Sequence, residues 1–298
     1  MLELTDVTKR FGQATAVSHL GFTVAPGEIL GLIGQNGAGK TTTFRMILGF
    51  LRPTAGTITW AGRPIGELPR TALGYLPEER GLYPKQTVQE QVLFFAALHG
   101  MRRAAAMAEL RRLMAAFAVK GKLTDKLQTL SKGNQQKVQL IAAIIHRPRL
   151  LILDEPFSGL DPVNADLLIQ GVRALQATGC AIIFSSHDMH NVTALSDKVL
   201  MLRNGAQVLT GTQAEIEAQF GRTHLTIESP LTQQQLAAFP GVLKVVPDGG
   251  GFAVTLAEEA AGKAIFEAAT QDGYIPRFAQ EAPSLEAIFK QKAGGDHV

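Results

Sequence analysis

Apolar residues along this chain follow two different periods. "LLILDEP", from Leu150 to Pro156, is a continuous apolar run ending in two carboxylates, the pattern of a strand covered on both faces in a parallel sheet. "EILGLIGQNGAGKTTTFRMILG" repeats the arrangement upstream, with a buried strand from Ile29 to Ile33, a glycine-rich turn and a helix that stops at Gly49. "CAIIFSSHDM" supplies a third such run, Ala181 to Phe184, with His187 just beyond it. Between these strands Val138, Ile141, Ala142 and Ile145 fall at i, i+3, i+4 and i+7. They form one face of a helix with Ser131 as N-cap and Pro148 past its end. "HLGFTV" alternates with period two and "TITW" reads as a further strand, so an antiparallel β layer is expected early in the chain. From Thr87 the texture becomes helical, and "TVQE" is a capping box opening a helix that runs to about His99.

The three buried strands would deliver Gly34, Asp154 and His187 to one carboxyl edge, the ligand crevice of an open α/β sheet. The turn from Gly34 to Thr41 matches G-x-x-x-x-G-K-[ST] in the strand-loop-helix context that a phosphate-binding loop requires. Gly34, Gly37 and Gly39 let backbone N–H groups approach phosphate oxygens. Lys40 reaches the β- and γ-phosphates, Thr41 is a Mg²⁺ ligand and Thr42 adds an α-phosphate contact. Asp154 is placed to hold Mg²⁺ and Glu155 to orient and polarise an attacking water; the plain alternative is a solvated strand end. A neutral His187 could hydrogen-bond the γ-phosphate, although a lone histidine at a strand end is ordinarily a surface residue. The start of the Ser131 helix offers free N–H groups to an anion. Taken alone it is an ordinary capped helix.

Across roughly residues 1 to 222 the chain resembles the ATP-binding cassette (ABC) ATPases, the nucleotide-hydrolysing subunits of transporters. "GQNGAGKTT" is similar to the Walker A loop and "LLILDEP" to the Walker B strand. "LSKGN" stands where the family signature sits, "SGLD" from Ser158 to Asp161 looks like the D-loop, and His187 falls at the switch histidine. The resemblance implies ATP and Mg²⁺ as cofactors. It implies nucleotide contacts from Phe11 (stacking on adenine), Gly34, Asn36, Gly37, Ala38, Gly39, Lys40, Thr41, Thr42, Ser131, Gly133 and Asp161. Thr41, Glu78 and Asp154 become metal ligands, and Glu155 and His187 catalytic groups. It also implies a second ABC ATPase subunit, because the signature faces ATP held by another subunit and each motif occurs once here: a homodimer, or a heterodimer with a related ATPase. An integral membrane permease would be the further partner, met by the helical part. Two departures stand out. Lys132 and Asn134 replace a glycine and a glutamine of the usual Leu-Ser-Gly-Gly-Gln signature. Glu78, or the adjacent Glu79, occupies the place of the glutamine that links Mg²⁺ to the transport subunit. "LPEERGLYPK" with "LSKGNQQKVQ" looks like a bacterial subgroup of two-component sodium or drug exporters.

Composition sets the remaining bounds. With 298 residues and 46% apolar content the chain can bury a large core. A net charge of +3 leaves nucleic-acid binding unsupported. No apolar run approaches membrane-spanning length, so a cytoplasmic protein held on the inner face of the membrane through the permease is expected. The single cysteine, Cys180, begins an apolar strand and reads as a core residue. Arg102, Arg103, Arg111 and Arg112 flank Glu109 on a helix whose Met107, Leu110, Met114 and Phe117 face inward, so the arginines read as solvated. Leu93, Phe94 and Phe95 read mainly as core, with some partner contact.

The fold expected is thus α/β: a P-loop ABC ATPase domain over 1–222, with a parallel-sheet core, an antiparallel β subdomain and a helical subdomain at about 87–145. Residues 223–298 show a β-α-β-β-α-β order, a small ferredoxin-like α+β module without catalytic constellation. Its role stays open between dimer support and ligand sensing or gating. Two rivals also remain open: a soluble ABC ATPase acting in DNA repair or on ribosomes, and a degenerate cassette that only binds nucleotide.

Overall fold

The computed structural model describes residues 1–79, 81–271, 273–292 and 294. The chain forms two compact units, Met1–Thr210 and Gly211–Val298. In the first, the strands are β1 (Leu2–Phe11), β2 (Ala14–Val24), β3 (Ile29–Ile33), β4 (Ala55–Trp60), β5 (Arg63–Pro64), β6 (Leu73–Leu76), β7 (Leu150–Leu153), β8 (Ala181–Ser185), β9 (Lys198–Arg203) and β10 (Ala206–Gly211). Its helices are α1 (Lys40–Ile47), α2 (Val88–Leu98), α3 (Arg103–Ala116), α4 (Lys132–Ile144), α5 (Pro162–Gln176) and α6 (Met189–Leu195).

One ten-stranded sheet runs β5-β4-β1-β2-β10-β9-β3-β8-β7-β6. The strands from β9 to β6 are mutually parallel, and β1, β2, β4 and β5 pair antiparallel. This is the parallel core with an antiparallel layer that the two apolar periods predict. Every residue of β3, β7 and β8 is buried, as a strand covered on both faces requires. The turn between β9 and β10 places Asn204 and Gly205 at φ 51° and 79°, the paired left-handed residues of a tight hairpin.

The helical layer is built by α2, α3 and α4. Thr87 and Glu90 close the expected capping box on α2. Leu93 is buried, but Phe94 is exposed and Phe95 only half-buried, so core packing holds for the first of the three alone. Cys180 is buried, and burial pushes its thiol up to about 12.

Arg112 is not simply solvated. Its Nε and Nη2 donate to Glu109 at 3.0 and 2.7 Å, and Arg147 donates to the same carboxylate at 3.4 and 3.2 Å. Glu109 is itself buried, and these bonds, Arg112's foremost, hold its carboxyl down to about 2 from an ordinary 4.5. A depressed folded-state pKa stabilises above the ordinary carboxylate range and loses that contribution as pH falls from about 4.5 towards 2. Glu109→Gln should therefore cost about 2 kcal/mol at pH 7, the arginines being largely exposed. In urea melts its deficit should shrink steadily below pH 4.5. A deficit independent of pH would assign the loss to packing instead.

The second unit begins with α7 (Gln213–Ala218), then β11 (His224–Glu228), α8 (Gln233–Ala237), β12 (Val242–Asp248), β13 (Gly251–Leu256), α9 (Ala261–Ala269), β14 (Arg277–Glu281) and α10 (Leu285–Lys292). Its antiparallel sheet has the order β12-β13-β11-β14, the ferredoxin-like arrangement. Leu225, Ile227, Val254 and Ile265 centre its separate core.

Candidate functional site

The loop between β3 and α1 has the geometry of an anion cradle. Gly34 and Gly39 take φ 154° and 106°, and there is no room for a side chain at either. A Cβ would lie 2.5 Å from the Leu202 carbonyl at Gly34 and 2.7 Å from that of Ala16 at Gly39. Gly39 caps α1 without a side chain, and no acidic residue occupies the first turn, so the leading N–H groups keep no side-chain partner. The Lys40 ammonium is buried against its own loop and donates to the carbonyls of Gly34 at 2.6 Å and Gln35 at 3.3 Å.

Neighbouring β7 and β8 complete a continuous hydrogen-bonded run. Thr41 Oγ1 donates to Asp154 Oδ2 at 3.4 Å. Ser185 Oγ donates to Asp154 Oδ1 at 2.6 Å and accepts from the Glu155 backbone N–H at 2.9 Å. Glu155 Oε2 in turn accepts from His187 Nδ1 at 2.9 Å. Asp154, Glu155 and Ser185 are buried, whereas the His187 imidazole is 77% exposed. Glu155 sits at φ 49°, a left-handed backbone unusual for a side chain with Cβ, which turns the chain sharply at the strand end. Thr41 hydroxyl and Asp154 carboxylate form a small all-oxygen set. That suits Mg²⁺, which keeps waters and substrate phosphates for its remaining positions. Glu78 stands exposed beyond β6, with no hydrogen bond to Thr41 or Asp154 among the described residues.

Ser185 carries no motif of its own, and only the structure reveals its role as the brace between the two carboxylates. Ser185→Ala leaves a buried N–H and a carboxylate each short of one partner, at about 1–3 kcal/mol. Urea unfolding should show that loss, and turnover should fall with it. Unchanged midpoint and turnover would make the hydroxyl dispensable.

Ser131, Gly133 and Asp161 gather in a second cluster. Ser131 caps α4 and accepts from Asn134 N at 3.3 Å and Asn134 Nδ2 at 2.9 Å. With both lone pairs engaged, the hydroxyl has only its proton left to offer, so it waits for an acceptor. Asp161 caps α5 through Asn164, whose bonds hold its carboxyl below the usual range. A Cβ on Gly133 would lie 3.3 Å from Asn164 Nδ2, so Asn164 ties the two halves together. Asn134 is not idle either: its Oδ1 accepts from Lys120 N at 2.9 Å, anchoring the altered signature to the chain before it. Phe11 is half exposed at the end of β1, with the Lys9 ammonium 5.1 Å from its ring centroid, and is no core residue.

Fold and cradle together define a P-loop nucleoside triphosphatase. Comparison with known proteins carries this further. The ABC transporter family profile matches residues 17–158, and that of the ATP-binding protein DrrA1-3-like C-terminal domain matches residues 211–293. The chain is 44% identical over 294 residues to the uncharacterized ABC transporter ATP-binding protein YhaQ of Bacillus subtilis (strain 168), covering 99% of each chain. It is 36% identical over 245 residues to the Nod factor export ATP-binding protein I of Burkholderia lata, covering 80% of this chain and 81% of that one. A solved ATP-binding subunit of an ABC transporter superposes with a TM-score of 0.68 at 32% identity, over 74% of this chain and 93% of that one. The chain belongs to the ABC transporter ATP-binding proteins, a family of ATPases.

Proposed function

We propose that this chain is the ATP-hydrolysing subunit of an exporter, in which two cassettes close around two MgATP and drive a separate membrane permease. The observation that carries this reading is the hydrogen-bonded run from Thr41 through Asp154, Ser185 and Glu155 to His187. It sets an oxygen pair for a cation beside a general base, at the rim of a phosphate cradle.

The backbone of Gly34, Asn36, Gly37, Ala38 and Gly39 takes the phosphate oxygens, with Lys40 on the β- and γ-phosphates, Thr42 on the α-phosphate and Phe11 under adenine. Bound Mg²⁺ would supply neutralisation of the phosphate charge. Thr41 and Asp154 would hold it, with Glu78 approaching from the loop after β6. Glu155 accepts a hydrogen bond from the attacking water and aligns it for in-line displacement. His187 keeps that carboxylate oriented and offers its exposed edge to the γ-phosphate. Ser131, Gly133 and Asp161 serve the other copy's triphosphate, which gives the Ser131 proton its acceptor.

No helix among the described residues is long and apolar enough to cross a membrane, and on this reading a permease supplies the pathway. Its seat is the helical layer. Phe50, Tyr83, Phe94 and Leu98 are all exposed, and Phe50 and Phe95 line a cleft of about 390 Å³ beside α4. The protein would thus sit on the cytoplasmic membrane face through its permease. Export is supported by the relative named for Nod factor export.

The test is a mild-detergent capture from native membranes using tagged Glu155→Gln protein held with MgATP. Stoichiometric recovery of a multi-spanning membrane protein supports the reading. Recovery of soluble dimer alone, or of nucleic acid, overturns the permease half and favours a soluble ABC ATPase.

A further inference from the structure

A second concave site lies at the opposite end of the parallel strands. The nucleotide residues follow the carboxyl ends of β3, β7 and β8. A cavity of about 900 Å³ opens instead where those strands begin, beside Pro26, Arg149 and Cys180. That volume is in the range of sites that enclose small ligands.

Its walls divide by chemistry. Trp60, Leu113, Phe117 and Ile144 form a closely packed apolar floor, and the half-buried Leu175 lies beside it. Ala116 on α3 and Ala174 on α5 are exposed and flank the opening, whereas Gly171 packs against Phe117, whose ring would lie 2.0 Å from a Cβ there. Arg112, Arg147 and Arg149 add three cations. Against them stands one carboxylate, Glu109, the only acidic side chain among the described lining residues. Glu109 clamps Arg112 and Arg147 by two hydrogen bonds each, which fixes both guanidinium groups yet engages only two of the five N–H donors on each. The Arg149 guanidinium is exposed and makes no hydrogen bond or ion pair among the described residues. An apolar chamber with a surplus of preorganised guanidinium groups matches a molecule with a hydrocarbon body and an anionic head, because arginine forks bind carboxylate and phosphate in pairs.

We infer that this cavity is a binding site for an anionic amphiphile, an alkyl chain ending in a carboxylate or phosphate, seated with its chain over Trp60, Ala174 and Leu175 and its head on Arg112, Arg147 and Arg149. Free fatty acid and the acidic headgroup of a membrane lipid share this chemistry. The site is independent of the nucleotide cradle and of the permease reading.

The chain has one tryptophan, Trp60, and it lines the cavity, so its emission reports occupancy directly. The experiment titrates the full-length protein with sodium dodecanoate below its micelle concentration, following Trp60 emission and heat by calorimetry. Parallel titrations use sodium decanoate, 1-dodecanol, inorganic phosphate and vesicles of phosphatidylglycerol in phosphatidylcholine. Saturable dodecanoate binding is expected, weakened about tenfold by removing two methylenes. Dodecanol should bind at least about tenfold more weakly, through loss of the charged hydrogen bonds. Arg149→Gln should reduce dodecanoate affinity while leaving dodecanol unaffected. Ala174→Phe, which fills the chamber and keeps the charges, should abolish both. Emission changes with vesicles but not with dodecanoate would name a membrane lipid as the source, and the reverse a free acid. Equal binding of dodecanol and dodecanoate would overturn the anion site. So would dodecanoate binding unaffected by Ala174→Phe, or no response to any amphiphile.

Discussion

Glu155→Gln should bind MgATP with undiminished affinity and hydrolyse it at least about a hundredfold more slowly. The substitution is nearly isosteric, and a glutamine oxygen can still accept from His187 Nδ1, the contact that Glu155 Oε2 makes at 2.9 Å. The backbone brace from Glu155 N to Ser185 Oγ is untouched. What disappears is the negative charge that polarises water, so turnover is lost while shape is kept. Because closure follows binding and opening follows hydrolysis in the proposed cycle, ATP-loaded dimers should accumulate. Phosphate release and size-exclusion profiles with retained nucleotide would measure both effects. Unchanged turnover would remove Glu155 from the catalytic role and leave the water to another base.

Lys40→Ala should weaken MgATP binding by about a hundredfold, the worth of one or two charge-assisted hydrogen bonds to phosphate. In this structure the ammonium is already desolvated and parked on the Gly34 and Gln35 carbonyls. On the proposed role, entry of a triphosphate would exchange carbonyl partners for phosphate oxygens without recruiting the side chain from water. Alanine removes the charge and strips Gly34 O of its donor, so a modest loss of thermal stability should accompany the affinity loss. Calorimetric titration with MgATP gives the first and a melting curve the second. An unaltered dissociation constant would take Lys40 out of phosphate binding.

The parts of the fold that sequence disclosed are those where local chemistry decides. Ile29–Ile33 is a strand because five consecutive apolar residues need two covered faces, and the structure buries all five. Thr87 and Ser131 both cap the helices their spacing announced. Long-range polar partners were not legible, since no local pattern encodes them. Ser185 looks like any serine at a strand end until the fold brings Asp154 beside it. Gln136 and Gln139 are likewise buried, and their amides donate to the carbonyls of Pro156, Pro77 and Glu79, partners far off in the sequence. Phe94 and Phe95 failed for a different reason, since apolarity does not say whether an aromatic faces a core or a cleft. The edge between the two units was equally opaque, because the Thr212–Glu215 capping box reads the same on either side of a domain border.

Those glutamine bonds give α4 a mechanical character. The helix is about 20 Å long, with Ser131 at one end and, just past the other, His146 in the cleft that also contains Phe50 and Phe95. Between the ends, Gln136 and Gln139 pin it to the loops that follow β7 and β6. With every residue from Gln136 to Ile144 also buried, the helix is held as one stiff rod between its two ends. A ligand in the cleft and a group held by Ser131 would thus bear on one and the same rigid element. A cleft ligand that tightens the grip on nucleotide must itself be held more tightly when nucleotide is present, by the same factor.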